Sequence, residues 1–151
     1  MRELPTLMKA ILTVWLLGVT VLAFAKDKNV SPRLQAVKVV YVDGRDTEAL
    51  QLTKQRLEHR TCFHLTENKA EADAVLKVDQ GPTRPETGVS KTNVGMTLLA
   101  PDGGFLWEGS HTGVEFSHTG VDDAVRHDLF HLAGDACPGY KRQSPNQNKD
   151  K

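Results

Sequence analysis

The chain lacks an excess of charge of either sign, since it has 19 lysine and arginine residues and 19 aspartate and glutamate residues. A protein that holds nucleic acid or an anionic membrane surface by electrostatics carries a basic patch or a high net positive charge. The balanced composition therefore indicates neither kind of partner, and we predict no nucleic-acid binding.

Several motifs of common enzymes are missing too. No nucleophile elbow occurs, and Gly103-Gly104 lies in a predicted hairpin turn rather than before a helix, where it would bind phosphate. Ser110-His111 and Ser117-His118 are adjacent pairs, but neighbours in a strand point apart, and a serine nucleophile needs a base across space. We predict no catalytic residue; a small hydrolase is the weaker alternative, with one of the three aspartates Asp122, Asp123 and Asp128 as the orienting carboxylate.

The amino terminus has the pattern of a secretory signal peptide. Arg2 and Lys9 give a positively charged start before an uncharged, mostly apolar run over residues 10–25, and Ala23-Phe24-Ala25 is a small-x-small cleavage pattern. As a helix this run rises about 24 Å, less than the ~30 Å hydrocarbon core of a bilayer. We predict cleavage between Ala25 and Lys26 and a periplasmic or extracellular protein. An uncleaved anchor is the alternative, and the only route by which this chain would contact a membrane.

Cysteine is scarce, and Cys62 and Cys137 are the only two. They cannot form a Cys-x-x-Cys redox motif, and two cysteines alone are a poor metal site. In an exported chain an even pair predicts one disulfide. A pair of buried free thiols is the alternative.

After cleavage the remaining chain is long enough for one domain with a hydrophobic core and too short for two. We predict a flexible lead-in over residues 26–33, a single domain over 34–140 and a polar, disordered tail over 141–151. The fold class is α+β, with a single mixed sheet of about five strands and two main helices packed on it. Apolar patterning predicts strands at 34–42, 62–65, 75–78, 92–99 and 105–112, helices at 47–60 and 121–133, a helical turn at 70–74 and loops at 80–91 and 113–120.

Three details of this pattern predict features of a strand, a hairpin and a helix start. The strand at 75–78 is expected in the middle of the sheet, because its centre is apolar and small alanines precede it. Phe105 and Trp107 alternate in a hairpin strand and are expected on one core-facing side. Thr119-Gly120-Val121-Asp122 resembles a capping box at the start of the second helix.

Among six histidines, His127 and His131 are four residues apart on a predicted helix. This spacing places two imidazoles on one metal ion in His-Glu-x-x-His proteases. Here aspartate follows the first histidine, no third ligand has a fixed spacing, and a helical wheel puts both opposite Val125 and Leu129. We predict a solvent-facing pair and no cofactor; a metal-binding protein that uses His127 and His131 is the alternative.

The strand motifs Val37-Lys38-Val39-Val40-Tyr41-Val42, Thr61-Cys62-Phe63-His64-Leu65 and Ala72-Asp73-Ala74-Val75-Leu76-Lys77-Val78, with Leu106-Trp107-Glu108 after a Pro-Asp-Gly turn, resemble a known group of domains. That group is the small exported bacterial α/β domains of the TolB amino-terminal and curli-secretion-lipoprotein (CsgG-like) kind. The resemblance covers residues 34–137 and implies an envelope or secreted protein that contacts other proteins. The chain has no lipid-anchor cysteine, no following β-propeller and no pore-forming hairpin, so neither translocation nor secretion-channel activity carries over. The resemblance also offers no catalytic residue.

The sequence therefore predicts a non-enzymatic exported domain that binds a protein partner or a cell-envelope component. Binding is expected at an exposed edge of the sheet and at the Gly81 to Ser90 loop.

Overall fold

The computed structural model describes residues 31–116 and 120–140, which form an α+β fold with one mixed sheet. The predicted fold class is confirmed, whereas the signal peptide, its cleavage site between Ala25 and Lys26, and the tail at 141–151 lie outside the described residues. The bounds of the elements are β1 Val39–Gly44, α1 Glu48–Arg60, β2 His64–Thr66, β3 Ala74–Gln80, β4 Arg84–Glu86, β5 Val89–Leu99, β6 Phe105–Glu115 and α2 Val121–Ala136.

The sheet has the order β2-β1-β3-β5-β6, and the short β4 pairs with the first residues of β5. Strands β2 and β3 lie parallel to β1, while β5 is antiparallel to both β3 and β6. The strand predicted at the middle of the sheet, now β3, is central, as expected. It runs from Ala74 to Gln80, which is longer than the predicted 75–78.

Both helices cover the same face of the sheet, because α1 packs on β1, β2 and β3, α2 packs on β5 and β6, and the helices contact each other. The strand residues that point toward the helices are buried, and they include Val40, Leu76, Met96 and Leu98. The described helices leave the other face of the sheet uncovered. No helix within residues 31–116 and 120–140 is long and apolar enough to cross a membrane.

The predicted first strand at 34–42 is wrong in its first half. Pro32–Ala36 form a 3-10 helix instead. The side chain of Ser31 accepts a hydrogen bond from the amide of Arg33 at 3.3 Å, and proline suits the first helical position. Leu34 is fully buried without being in a strand, which explains why an apolar run misled the prediction.

The segment 80–91 is not a simple loop, because Arg84–Glu86 pair with Val89–Lys91 in a hairpin. Gly88 has a φ of 76°, the left-handed conformation that such a tight turn needs. All three residues of β4 are exposed. A strand without a buried face has no apolar alternation, so the sequence of β4 does not carry the pattern that predicts a strand.

Phe105 and Trp107 do not share a buried side: Phe105 is 51% exposed and Trp107 is 4% exposed. The register between β5 and β6 shifts at Leu98/Leu99, so Leu106 and Trp107 are both buried. Such a bulge inserts one residue and interrupts the alternation on which the prediction depended.

Helix α2 begins differently from the predicted capping box. Gly120 is the N-cap residue, with a φ of 77° and no side-chain capping hydrogen bond. The helix continues beyond the predicted end at 133 to Ala136, and Cys137 follows as its C-cap. The structure joins Cys137 to Cys62 in a disulfide with a Cα–Cα distance of 5.7 Å, which links the end of α2 to the residues just before β2.

Candidate functional site

Three histidines come together where α2 packs on β6. The rings of His111 and His127 stack with their centroids 3.6 Å apart and an interplanar angle of 16°. His131 continues the group, with its ring centroid 4.4 Å from that of His127. The described chain thus assembles three of its six histidines in one row, which we call the histidine row.

The local structure explains this placement. His111 pairs with Val94, whose side chain is fully buried on the helix-covered face, so His111 also points toward α2. On α2 the spacing of four residues puts His127 and His131 one above the other. Sequence reasoning identified this helical pair but missed His111. The side chain of His127 is 41% exposed, and its ring also stacks on that of His111.

The geometry of the row does not favour a metal site. The lone pairs of an imidazole lie in the plane of its ring, so two stacked and nearly parallel rings do not direct them to one point. Residues 31–116 and 120–140 contain no group of three or more histidine, cysteine, aspartate or glutamate side chains arranged to hold a metal ion. His111 and His127 are therefore not oriented as two ligands of one metal ion.

Asp128 is the unusual carboxyl group of this region. Its side chain is 2% exposed, its Oδ1 lies 3.8 Å from Nδ1 of His127, and its Oδ2 accepts no hydrogen bond from the part of the chain that is described. Burial raises the pKa of Asp128 from 3.8 to about 7, because it penalises the ionised form. Burial also lowers the pKa of His127, with further lowering by His111 and His131.

These two shifts have opposite effects on stability. A carboxyl group with a raised pKa keeps a proton that the unfolded chain has released, so its contribution to stability falls as the pH rises from about 4 to about 7. An imidazole with a lowered pKa contributes fully above its ordinary pKa of 6.5, and this contribution is lost as the pH falls toward its folded-state value.

We expect Asp128→Asn to stabilise the protein at alkaline pH. Asparagine cannot ionise, so the variant avoids a buried carboxylate and its free energy of unfolding should exceed that of the wild type by about 2 to 4 kcal/mol near pH 8. Near pH 4 the two proteins should differ little, because Asp128 is then protonated in the folded state. Urea unfolding across this pH range measures the difference.

Asp123→Asn provides the matched control on the same helix, because the side chain of Asp123 is 39% exposed. It should show no comparable gain at alkaline pH. Wild-type and Asp128→Asn stabilities that run parallel from acid to alkaline pH would contradict the assignment of a buried, ionisable Asp128.

The hydrolase alternative fails at Ser110 and His111. Ser110 pairs with Gly95 on the uncovered face of the sheet, where its hydroxyl contacts the amide of Asn93 at 3.2 Å, whereas His111 points toward α2. The histidine therefore cannot act as a base for its neighbour. Ser117 and His118 lie outside the described residues.

The uncovered face carries a cross-strand row of Asp43, Lys77, Thr97 and Glu108. These residues line a shallow concavity of about 630 Å³, into which Gly95 presents no side chain. Two of these side chains, Asp43 and Glu108, are acidic, Lys77 is basic and Thr97 is uncharged, which gives a polar surface of mixed charge.

The outer edge of β6 is the longest strand edge available. The strand has 11 residues, and among the described strands only β5 pairs with it. Its middle, residues 109–114, reads Gly-Ser-His-Thr-Gly-Val and contains no proline and no lysine, arginine, aspartate or glutamate. Val114 is 45% exposed and Phe116, just beyond the strand, is 87% exposed.

Comparison with known proteins places the fold but not the site. No family model matches the chain, and no curated protein matches it. The solution structure of uncharacterized lipoprotein B from Nitrosomonas europaea is similar with a TM-score of 0.50 and 11% identity over 65% of this chain and 83% of that one. The PelC dodecamer from Paraburkholderia phytofirmans is similar with a TM-score of 0.47 and 16% identity over 66% of this chain and 87% of that one.

A minor lipoprotein from Acinetobacter baumannii shows a weaker likeness, with a TM-score of 0.40 and 13% identity over 66% of this chain and 88% of that one. At these identities the similarity concerns the fold alone. The fold of the chain is that of a small bacterial α/β domain.

Proposed function

We propose that the protein is an exported, non-enzymatic binding module that pairs the outer edge of β6 with an extended segment of a protein partner. The outer edge of β6, with which no described strand pairs, is the observation that carries this proposal. Export is supported by the signal-peptide pattern of residues 1–25, and the absence of catalysis by the separation of Ser110 from His111 across the sheet.

Edge strands attract other strands, because they present unpaired backbone N–H and C=O groups. Proteins usually protect such edges with charges, proline, short length or a bulge. The bulge of β6 lies at its first residues, and its charged side chains Glu108 and Glu115 stand near its two ends. Between them, residues 109–112 carry none of these protections, whereas the backbone of Gly120 already lies against the strand at Gly113 and Val114.

The kind of partner follows from the chemistry of this edge. Strand addition obtains affinity from main-chain hydrogen bonds and specificity from side chains that flank the added strand. Val114 and Phe116 supply exposed apolar surface at one end, and Glu108 supplies a negative charge near the other. A suitable segment is extended, apolar at one end and basic at the other.

Kinship with the TolB amino-terminal and CsgG-like domains belongs to the same proposal. It is supported by the way the short 3-10 helix Lys69–Glu71 leads into the central strand β3, which carries the Ala74-Val75-Leu76 motif. An envelope location fits the fold likeness to the Nitrosomonas europaea lipoprotein.

Thr112→Lys tests the proposal. A lysine on the edge strand should obstruct strand addition, and we expect the amount of partner captured from bacterial envelope extract to fall about tenfold, equivalent to about 1.4 kcal/mol. Quantitative mass spectrometry of proteins captured by the immobilised chain is the measurement, and a photo-reactive residue at position 112 should cross-link to the same protein.

Asn93→Lys is a closely matched control. Asn93 pairs with Thr112 across the strands, both side chains are exposed, and either substitution removes the same 3.2 Å hydrogen bond between them. Only Thr112 lies on the outer strand, so Asn93→Lys should retain most of the capture. Equal capture by the two lysine variants, whether both strong or both weak, would contradict binding at the edge of β6.

A further inference from the structure

We propose that the histidine row makes the packing of α2 on β6 sensitive to pH, holding the helix on the strand while the imidazoles are neutral and weakening this contact when a second one gains a proton. This inference concerns the interior of the domain and does not depend on a partner for β6.

The stacking of His111 and His127 is the first step of the argument. Two neutral rings at a centroid distance of 3.6 Å attract each other as flat, partly apolar surfaces. Two imidazolium ions at that separation repel each other, and the repulsion is stronger near protein than in bulk water because the effective dielectric constant is lower. Protonation therefore turns an attractive contact into a repulsive one.

The surroundings tolerate one positive charge better than two. Asp123 places Oδ2 3.8 Å from Nε2 of His111, so it forms an ion pair with that imidazole when it is protonated. His127 lies between the other two rings, and its pKa is lowered first by burial and then by its two histidine neighbours. The carboxylate of Asp123 partly offsets this lowering.

Other ionisable groups lie at or beside the contact between α2 and β6, and they also contribute to its pH dependence. Asp128 is buried beside His127 and becomes neutral as the pH falls, which removes a negative charge from the neighbourhood. On the α1 side, Asp122 is already paired with Arg56. The described charged and titratable groups on the helix-facing side of β6 and on α2 are His111, Glu115, Asp122, Asp123, Arg126, His127, Asp128, His131 and Asp135.

The close approach of the backbones limits how far the rings can separate while the helix stays in place. At Gly113, two residues after His111, a Cβ atom would lie 2.8 Å from the carbonyl carbon of Gly120 and 2.9 Å from the amide nitrogen of Ala124. Strand and helix therefore touch directly beside the histidine row. Repulsion between the rings must act against this contact.

The test is hydrogen exchange of the full exported chain, with its disulfide intact and a chelator present. After correction for intrinsic exchange rates, protection of the α2 amides should fall about tenfold between about pH 7.5 and about pH 5.5, the range in which histidine titrates. The melting temperature of the whole domain is less informative, because protonation of Asp128 raises the stability of the domain as the pH falls over the same range.

His127→Phe keeps a ring at this position and cannot be protonated, so the fall in protection should shrink to about twofold or less. His64→Phe is the control, because the side chain of His64 is 78% exposed on β2 and should leave the fall unchanged. The proposal would be overturned if amide protection in α2 fell as much in His127→Phe as in the wild type, or if it did not fall in the wild type. It would also be overturned if the amides of β1 and β3 lost as much protection as those of α2.

A second measurement does not depend on the variant folding. In a nuclear magnetic resonance titration of the wild type, His127 should titrate with a pKa below the ordinary value of 6.5, and its titration should coincide with chemical-shift changes in α2 and β6. Titration of His127 at or above the ordinary value of 6.5 would equally overturn the proposal.

Discussion

Replacing both Cys62 and Cys137 with serine is expected to lower the free energy of unfolding by about 4 kcal/mol. The disulfide joins residues 75 positions apart, and a cross-link that closes so long a loop strongly restricts the unfolded chain. For a domain of this size the loss corresponds to a decrease in Tm of about 15 °C or more. Urea unfolding and calorimetry of the variant and the wild type measure the two quantities.

The single variants distinguish the effect of losing the disulfide bond from the effect of replacing the cysteine side chains. Cys62→Ser and Cys137→Ser each remove the same cross-link, so each should lose about as much stability as the double variant, and reductant should bring the wild type to the same level. Mass spectrometry should show the native protein gaining two hydrogen atoms on reduction. Free thiols in the exported native protein, or a reduced wild type as stable as the oxidised one, would contradict the prediction.

Elements that depend on neighbours along the chain were predicted well. Helix α1 begins at Glu48, after Thr47, whose side chain accepts a hydrogen bond from the amide of Leu50 at 3.3 Å. Its apolar stripe is buried at Leu50 and Leu57, as the helical spacing indicated. Both the cap and the stripe are properties of residues three to seven positions apart, which a sequence displays directly.

Elements that depend on distant strands were predicted less well. The bulge at Leu98/Leu99 is a property of how β5 and β6 align, and it changes the environment of Phe105 without leaving a mark in the sequence near it. Strand β4 exists because Val89–Lys91 lie beside it. Leu34 and Val37 are buried by packing and not by strand pairing, which patterning alone does not distinguish.

The candidate site also combines a feature set by residues close in sequence with one set by a distant strand. The four-residue spacing of His127 and His131 was visible, but the third ring comes from a strand 16 positions earlier and meets them only in the folded chain. A usable signal existed, because His111 alternates with Trp107 and Gly109 and so belongs on the side of the strand that carries the buried tryptophan. Combining strand alternation with the helical spacing would have predicted three histidines in one place.

The crossing of β6 and α2 also makes a strong prediction about stability: Gly113→Ala should destabilise the domain by about 3 kcal/mol. The added methyl group would meet the carbonyl oxygen of Gly120 and would lie 2.9 Å from the amide nitrogen of Ala124. These are backbone atoms and cannot move aside as a side chain does, so the helix must shift away from the strand. Urea unfolding measures the loss.

Gly95→Ala is the matched control, since Gly95 lies in neighbouring β5 but on the uncovered face, where a Cβ atom would have no neighbour within 4 Å. Alanine costs less conformational entropy than glycine in a strand, so this variant should be unchanged or more stable by up to about 1 kcal/mol. Because a helix displaced at Gly113 also moves His127 away from His111, the Gly113→Ala variant should lose the pH dependence of α2 exchange. Equal stability of the two alanine variants would show that α2 does not rest directly on β6.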